Sequence, residues 1–135
     1  MAIIVARPPN FEQILAAFPD AAKLGVIFAY GPDVYSPSGL SIAPALLAHE
    51  SVHCERQRSD PQYWWNSYIA DAKFRYAEEL LAHVAEFQAQ RFSDRNQYAK
   101  LLMFTAARLV APLYHYIPPR SLLQAVRDLE QELGL

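Results

Sequence analysis

Ten prolines in 135 residues limit what this chain can fold into. Proline fixes φ and has no amide hydrogen, so it opens helices or separates elements and rarely sits inside them. Here the prolines fall between periodic segments and mark the joints. Pro8-Pro9-Asn10 precedes a helical pattern in which Phe11, Ile14, Leu15 and Phe18 share a face. Asn10 with Gln13 has the spacing of a capping box. Residues 24–30 (LGVIFAY) are rich in β-formers and read as a buried strand. After the Gly31-Pro32-Asp33 turn, residues 33–36 (Asp33-Val34-Tyr35-Ser36) read as a second short strand, and Leu40-Ser41 as a very short third.

From Pro44 the pattern turns helical, to about residue 58. Ser59-Asp60-Pro61 stops that run and introduces an aromatic cluster, Tyr63, Trp64, Trp65 and Tyr68, on one or two helical turns. Asp71 suits the N-cap of a long helix reaching about residue 91, with Phe74, Leu80 or Leu81, Val84 and Phe87 at helical spacing. Ser93-Asp94 caps a further helix to about residue 110. Pro112 interrupts it, and Ser121 introduces a last helix, residues 122–133. The expected fold is α+β, mostly helical, with a small sheet near the N-terminus. A chain of this length suits one domain, residues 1–135.

Composition narrows the function classes. Twelve Lys+Arg face fourteen Asp+Glu, and the basic residues are scattered, so no nucleic-acid partner is expected. Hydrophobic residues make up 53%, which is enough for a packed core. The single cysteine, Cys54, excludes an intramolecular disulfide and a multi-cysteine zinc cluster. It reads as a small buried residue. The apolar run at residues 2–6 is broken by Arg7-Pro8-Pro9 and does not read as a signal peptide. No apolar stretch approaches the ~20 residues that span a bilayer. A cytoplasmic protein with no membrane partner is the expectation.

The residues that carry chemistry are His49-Glu50-Ser51-Val52-His53, an HExxH pattern within the predicted helix. Residues four apart on a helix are separated by ~40° in azimuth and ~6 Å along the axis. Two imidazoles so placed can converge on one zinc ion at ~2.0–2.1 Å. Glu50 lies too far round to join them as a ligand. It is placed beside the remaining coordination position, where it can take a proton from water and pass it to a leaving group. A catalytic zinc needs a third protein ligand, and residues 54–60 supply neither the glycine nor the histidine of an extended HExxHxxGxxH pattern. The helix after Asp71 offers Glu78 and Glu79. With His83 as a fourth ligand, the zinc would be structural.

The run His49, Glu50, His53 and Gln57, followed by Trp64, Trp65, Tyr68, Asp71, Phe74, Arg75 and Glu79, resembles the small gluzincin-type metallopeptidases found in phage and bacterial genomes. It is also similar to minimal gluzincins, whose core resembles that of large integral-membrane zinc peptidases without the membrane helices. The resemblance covers about residues 24–91, and more weakly 113–114 onward. It implies a zincin-like fold and one zinc held by His49, His53 and Glu79. Glu79 is preferred to Glu78 because Glu79-Leu80-Leu81-Ala82-His83 matches the family's ligand context. Arg75 and His83, four residues to either side of Glu79, would then share its face, Arg75 holding Glu79 and His83 hydrogen-bonding a ligand.

The implied reaction is hydrolysis of a peptide bond, with Glu50 as general base. Tyr114 or His115 is a candidate to stabilise the oxyanion, the alternative being a packed aromatic corner. Tyr63, Trp64, Trp65 and Tyr68 read as core aromatics joining two helices, or else as walls of a cleft. By analogy with zincins, the strand at residues 33–36 is expected to be a sheet edge that pairs with an extended peptide. Ligand type alone also admits iron, cobalt or manganese. The alternative from another class is a non-catalytic, zinc-stabilised interaction or phage assembly protein. A third reading is a latent enzyme whose residues 124–135 occupy the cleft.

Overall fold

The computed structural model describes residues 1–134. Six helices form among these residues, four of them at or just after a proline joint. They are α1 (Phe11–Ala17), α2 (Pro44–Gln57), α3 (Pro61–Ala70), α4 (Ala72–Gln88), α5 (Arg95–Leu109) and α6 (Leu122–Leu133). Pro44 and Pro61 open α2 and α3, where their missing amides cost nothing. The later helices are capped by side chains as expected. Asp71 accepts from the amides of Lys73 and Phe74, Asp94 from Gln97, and Ser121 from Gln124. Asn10 differs. It does not cap α1, and its side-chain amide instead reaches Gln13 Oε1 at 3.4 Å. The aromatic run is also longer than one or two turns, a ten-residue helix.

The sheet departs further from expectation. Its strands are β1 (Ile3–Ile4), β2 (Phe28–Tyr30) and β3 (Asp33–Tyr35), in the order β1-β3-β2. Strand β3 is therefore central and cannot be the edge that takes a peptide. On one side it pairs in parallel with β1, with the Val34 amide 2.9 Å from the Ala2 carbonyl. On the other it pairs antiparallel with β2 across the Gly31-Pro32 turn. The third strand is the N-terminal run, not Leu40-Ser41. The strand expected at 24–30 keeps only its last three residues. Leu24 is 83% exposed, and Gly25 turns the chain with φ +86°.

Two large apolar cores form, beside a small third cluster of Ala29, Val34 and Cys54. The first gathers Phe11, Ile14, Phe18, Phe28, Trp64, Trp65 and Tyr68. The second gathers Tyr76, Phe87, Leu102, Leu109, Ala125 and Leu129. Tyr63 belongs to neither and is 70% exposed. Helix α4 packs against α2, α3, α5 and α6. Helix α6 buries Ala125 and Leu129 in the second core and lines no part of the cavity described below, so the latent-enzyme reading finds no contact in its favour. Leu135, the last residue of that proposed plug, lies outside the described residues. Among the described residues, no helix is long and apolar enough to cross a membrane.

Candidate metal centre

The buried stripe of α2 is His49, Glu50, His53, Cys54 and Gln57. These positions have helical spacing, but the face they form is mostly polar. The facing stripe of α4 includes Glu79, His83 and Glu86, which are also buried. Burying so many ionisable groups is costly unless they neutralise one another or hold a cation. The polar seam between α2 and α4 is thus the first structural sign of a site.

Within the seam, His49 Nε2 lies 3.1 Å from Glu79 Oε1, and His53 Nε2 lies 3.0 Å from Glu79 Oε2. Donor atoms of His49, His53 and Glu79 all lie within 4.8 Å of one another. Neither imidazole makes a well-aligned hydrogen bond to Glu79, and Glu79 Oε1 has no hydrogen-bond partner among the described residues. Close but misaligned groups are what a ligand set presents, because its atoms aim at a common point. The remaining oxygen of Glu79 is oriented by Tyr68, whose hydroxyl donates to Oε2 at 2.7 Å. Tyr68 is a core aromatic, as the sequence suggested, and its hydroxyl also orients Glu79.

Glu78 is turned elsewhere. It accepts from Trp64 Nε1 at 2.7 Å and from Arg56, and it takes no part in the histidine cluster. Arg75 does not hold Glu79, contrary to expectation. Its guanidinium is used up on main-chain carbonyls of residues 68, 69, 114 and 115. His83 does bond to Glu79, but through the backbone, with Nδ1 2.7 Å from the Glu79 carbonyl. Its Nδ1 also lies 3.7 Å from Glu79 Oε1, but His83 falls outside the compact His49–His53–Glu79 group of donor atoms.

Glu86 and Arg108 were not anticipated. Glu86 Oε1 lies 3.3 Å from His49 Nδ1, and Arg108 grips Glu86 through two contacts of 2.9 and 3.1 Å. Glu79, His83 and Glu86 stand at i, i+4 and i+7, so helical spacing could have revealed Glu86. Arg108 comes from another helix and left no such signal. His49, His83 and Glu86 form a second group of potential metal donors. His49 is common to both groups, and its Nδ1 can serve a second ion only as an imidazolate. A carboxylate that holds the far nitrogen of a ligating histidine is the usual outer arrangement.

Glu50 faces a cavity of about 260 Å³ shared with His49, His53, Glu79 and Tyr114. It has no hydrogen bond or ion pair among the described residues. Burial pushes its carboxyl pKa up, and this outweighs the pull of the two histidines. Burial works against charge on His49, but Glu79 and Glu86 overcome it and raise His49 to about 10. His83 is lowered to about 4 by burial and by His49. Burial also opposes the ionised form of Glu79, yet His53 and His49 hold it well below the carboxylate range. Burial keeps the Tyr114 hydroxyl protonated, and the nearby carboxylates reinforce this. His115 is exposed, stacks edge-on against Phe18 at 5.8 Å and does not reach the cavity. Of the two oxyanion candidates, only Tyr114 lines the site.

The cavity wall also settles which strand borders the site. It is formed by residues 25–29 leading into β2, with Phe18, Ala21, Leu46 and Leu113. In the hairpin, Tyr30 opposes Asp33 across a two-residue turn, so the polar groups of Ala29 point away from β3. The Ala29 carbonyl is taken by Gln57 Nε2 and Trp65 Nε1, each at 2.9 Å. Comparison with known proteins finds no match among protein-family models, curated proteins or solved structures.

Proposed function

We propose that this chain is a zinc-dependent peptidase of the gluzincin type. His49, His53 and Glu79 are its metal ligands and Glu50 its general base. The observation that carries this reading is the convergence of two imidazole nitrogens on one carboxylate, at 3.1 and 3.0 Å, beside an unpartnered Glu50. Two imidazoles and a carboxylate suit zinc. Charge supports one divalent ion. The carboxylates of Glu50, Glu79 and Glu86 carry three negative charges when ionised, and Arg108 returns one. One dication closes the sum, whereas a second would leave buried positive charge in excess.

Zinc held there supplies a Lewis acid and makes water a competent nucleophile near neutral pH. Glu50 takes the proton on its carboxylate and returns it to the departing amine. Its raised pKa suits a group that must hold and release a proton. The Tyr114 hydroxyl, kept protonated, donates to the carbonyl oxygen as charge grows on it. An extended peptide lies along residues 25–29 beside β2, where the Ala29 carbonyl is already occupied. An apolar side chain packs against Phe18, Leu46 and Leu113.

Elemental mass spectrometry of untagged protein should find about one zinc per chain. Glu50→Gln should keep the zinc and lose ~10²–10⁴-fold in peptide hydrolysis. Full turnover in that variant would sink the role of Glu50. A chain that neither carries nor takes up a metal would overturn the reading as a whole. Stoichiometric zinc without hydrolysis of a mixed peptide library would leave the metal as a stabiliser of an interaction protein.

A further inference from the structure

We propose that Arg75 is a positioning residue for Tyr114, holding its turn over the metal site. The inference rests on the peptidase reading above for its kinetic consequence, though not for its structural one. Arg75 is 4% exposed and, among the described residues, pairs with no carboxylate. Nη1 donates to the carbonyls of Tyr68 and Ile69, at 2.7 and 3.2 Å. Nε donates to the Tyr114 carbonyl at 2.6 Å, and Nη2 to that of His115 at 2.8 Å. The guanidinium also lies 5.3 to 5.9 Å from the ring centres of Phe18, Tyr68 and Tyr116. Burying an un-neutralised cation is unfavourable, and an apolar side chain would fill the same space without that penalty.

What the cation accomplishes follows from the segment it grips. Tyr114 ends a single 3-10 turn, Pro112–Tyr114, and His115 follows in the left-handed region with φ +52°. The amides of Tyr114 and His115 bond only locally, to Ala111 and Pro112. Among the described residues, Arg75 gives the main chain of residues 112–120 its only hydrogen bonds to another element. The Tyr114 ring stacks on Tyr116 and meets His83 edge-on, and among the described residues its hydroxyl has no hydrogen-bond partner. The same guanidinium holds the end of α3, which carries Tyr68, the residue that orients Glu79. Arg75 thus fixes the hydroxyl of Tyr114 relative to the ligand set. A planar fork can serve carbonyls on two sides at once, which a lysine ammonium cannot.

The test compares Arg75→Lys, Tyr114→Phe and the double variant in zinc-loaded full-length protein. Arg75→Lys should keep one zinc per chain and lower kcat by ~10–100-fold with little change in KM. In the Tyr114→Phe background it should cost almost nothing more. Multiplicative losses would overturn the proposal. The readout independent of turnover is 19F NMR of 3-fluorotyrosine at position 114. One sharp resonance is expected in the parent protein, shifted and broadened in Arg75→Lys. An identical resonance in the two proteins would overturn the positioning role even if no peptide is ever cleaved. Should Arg75→Lys fail to fold, Arg75→Gln, which buries no charge, carries the same comparison.

Discussion

The two long faces of α4 are held by opposite means. Toward α5 and α6 it presents Tyr76, Leu80 and Phe87 to Leu102, Leu109 and Leu129, an interface of apolar packing. Toward α2 it presents Glu79, His83 and Glu86 to His49 and His53, an interface of buried polar groups. On this second face, His49 Nδ1, His53 Nδ1, Glu79 Oε1 and His83 Nε2 have no aligned hydrogen-bond partner among the described residues. A chain built only for stability would not leave them so. The apolar face anchors α4, and the polar face is free to be arranged around a ligand.

The comparison breaks most sharply if each face is cut separately. Glu79→Ala should lower zinc affinity by more than about 100-fold, since a ligand matters more than its outer support. Glu78→Ala, measured by the same chelator competition, should leave that affinity nearly intact. Leu129→Ala should do the reverse, costing about 2–5 kcal/mol of stability in urea unfolding while zinc affinity stays within about threefold. If Leu129→Ala released the metal, or Glu79→Ala left it bound, the division between the faces would be wrong.

Much of this was legible in the sequence, for local reasons. Pro44 and Ser121 mark the starts of α2 and α6, because a missing amide and a capping hydroxyl act within one turn. HExxH was legible because i, i+4 spacing alone brings His49 and His53 together. What escaped depends on other elements. The pairing of Ile3-Ile4 with Val34-Tyr35 is too short and too distant to leave a pattern. It makes β3 central, so residues 33–36 are not the sheet edge that the sequence suggested. Arg75 stands four residues from Glu79, yet its donors reach carbonyls 39 and 40 positions away. The buried stripe of α2 is polar, so a search for apolar faces picks Leu46, Leu47 and Val52, which are only partly buried.

Glu86 sharpens the comparison from within the polar face. If it supports His49 from outside the ligand set, Glu86→Gln should keep the metal at one per chain. The affinity should fall by roughly 10–100-fold. Arg108→Ala should act in the same direction, because it frees the carboxylate that Arg108 now grips. If the His49–His83–Glu86 group held an ion of its own, the parent protein would bind two metals per chain, and Glu86→Gln would remove only one.

The gentlest probe of the polar face is the proton. In the metal-free protein, His49 is raised from 6.5 to about 10 by Glu79 and Glu86, against the effect of burial. A raised folded-state pKa stabilises the fold fully below the unfolded value. That contribution fades as pH rises through the folded value. The metal-free protein should therefore lose stability from about pH 6.5 to 10, and the zinc-loaded protein, with His49 already deprotonated as a ligand, should not. Zinc must displace the same proton. Its apparent affinity should then climb about tenfold per pH unit through this range, with about one proton released per ion. Calorimetry in buffers of different ionisation enthalpy counts that proton directly. A flat affinity above pH 7 would mean that His49 is neutral before the metal arrives, and that its two carboxylates do not hold a charge for the metal to replace.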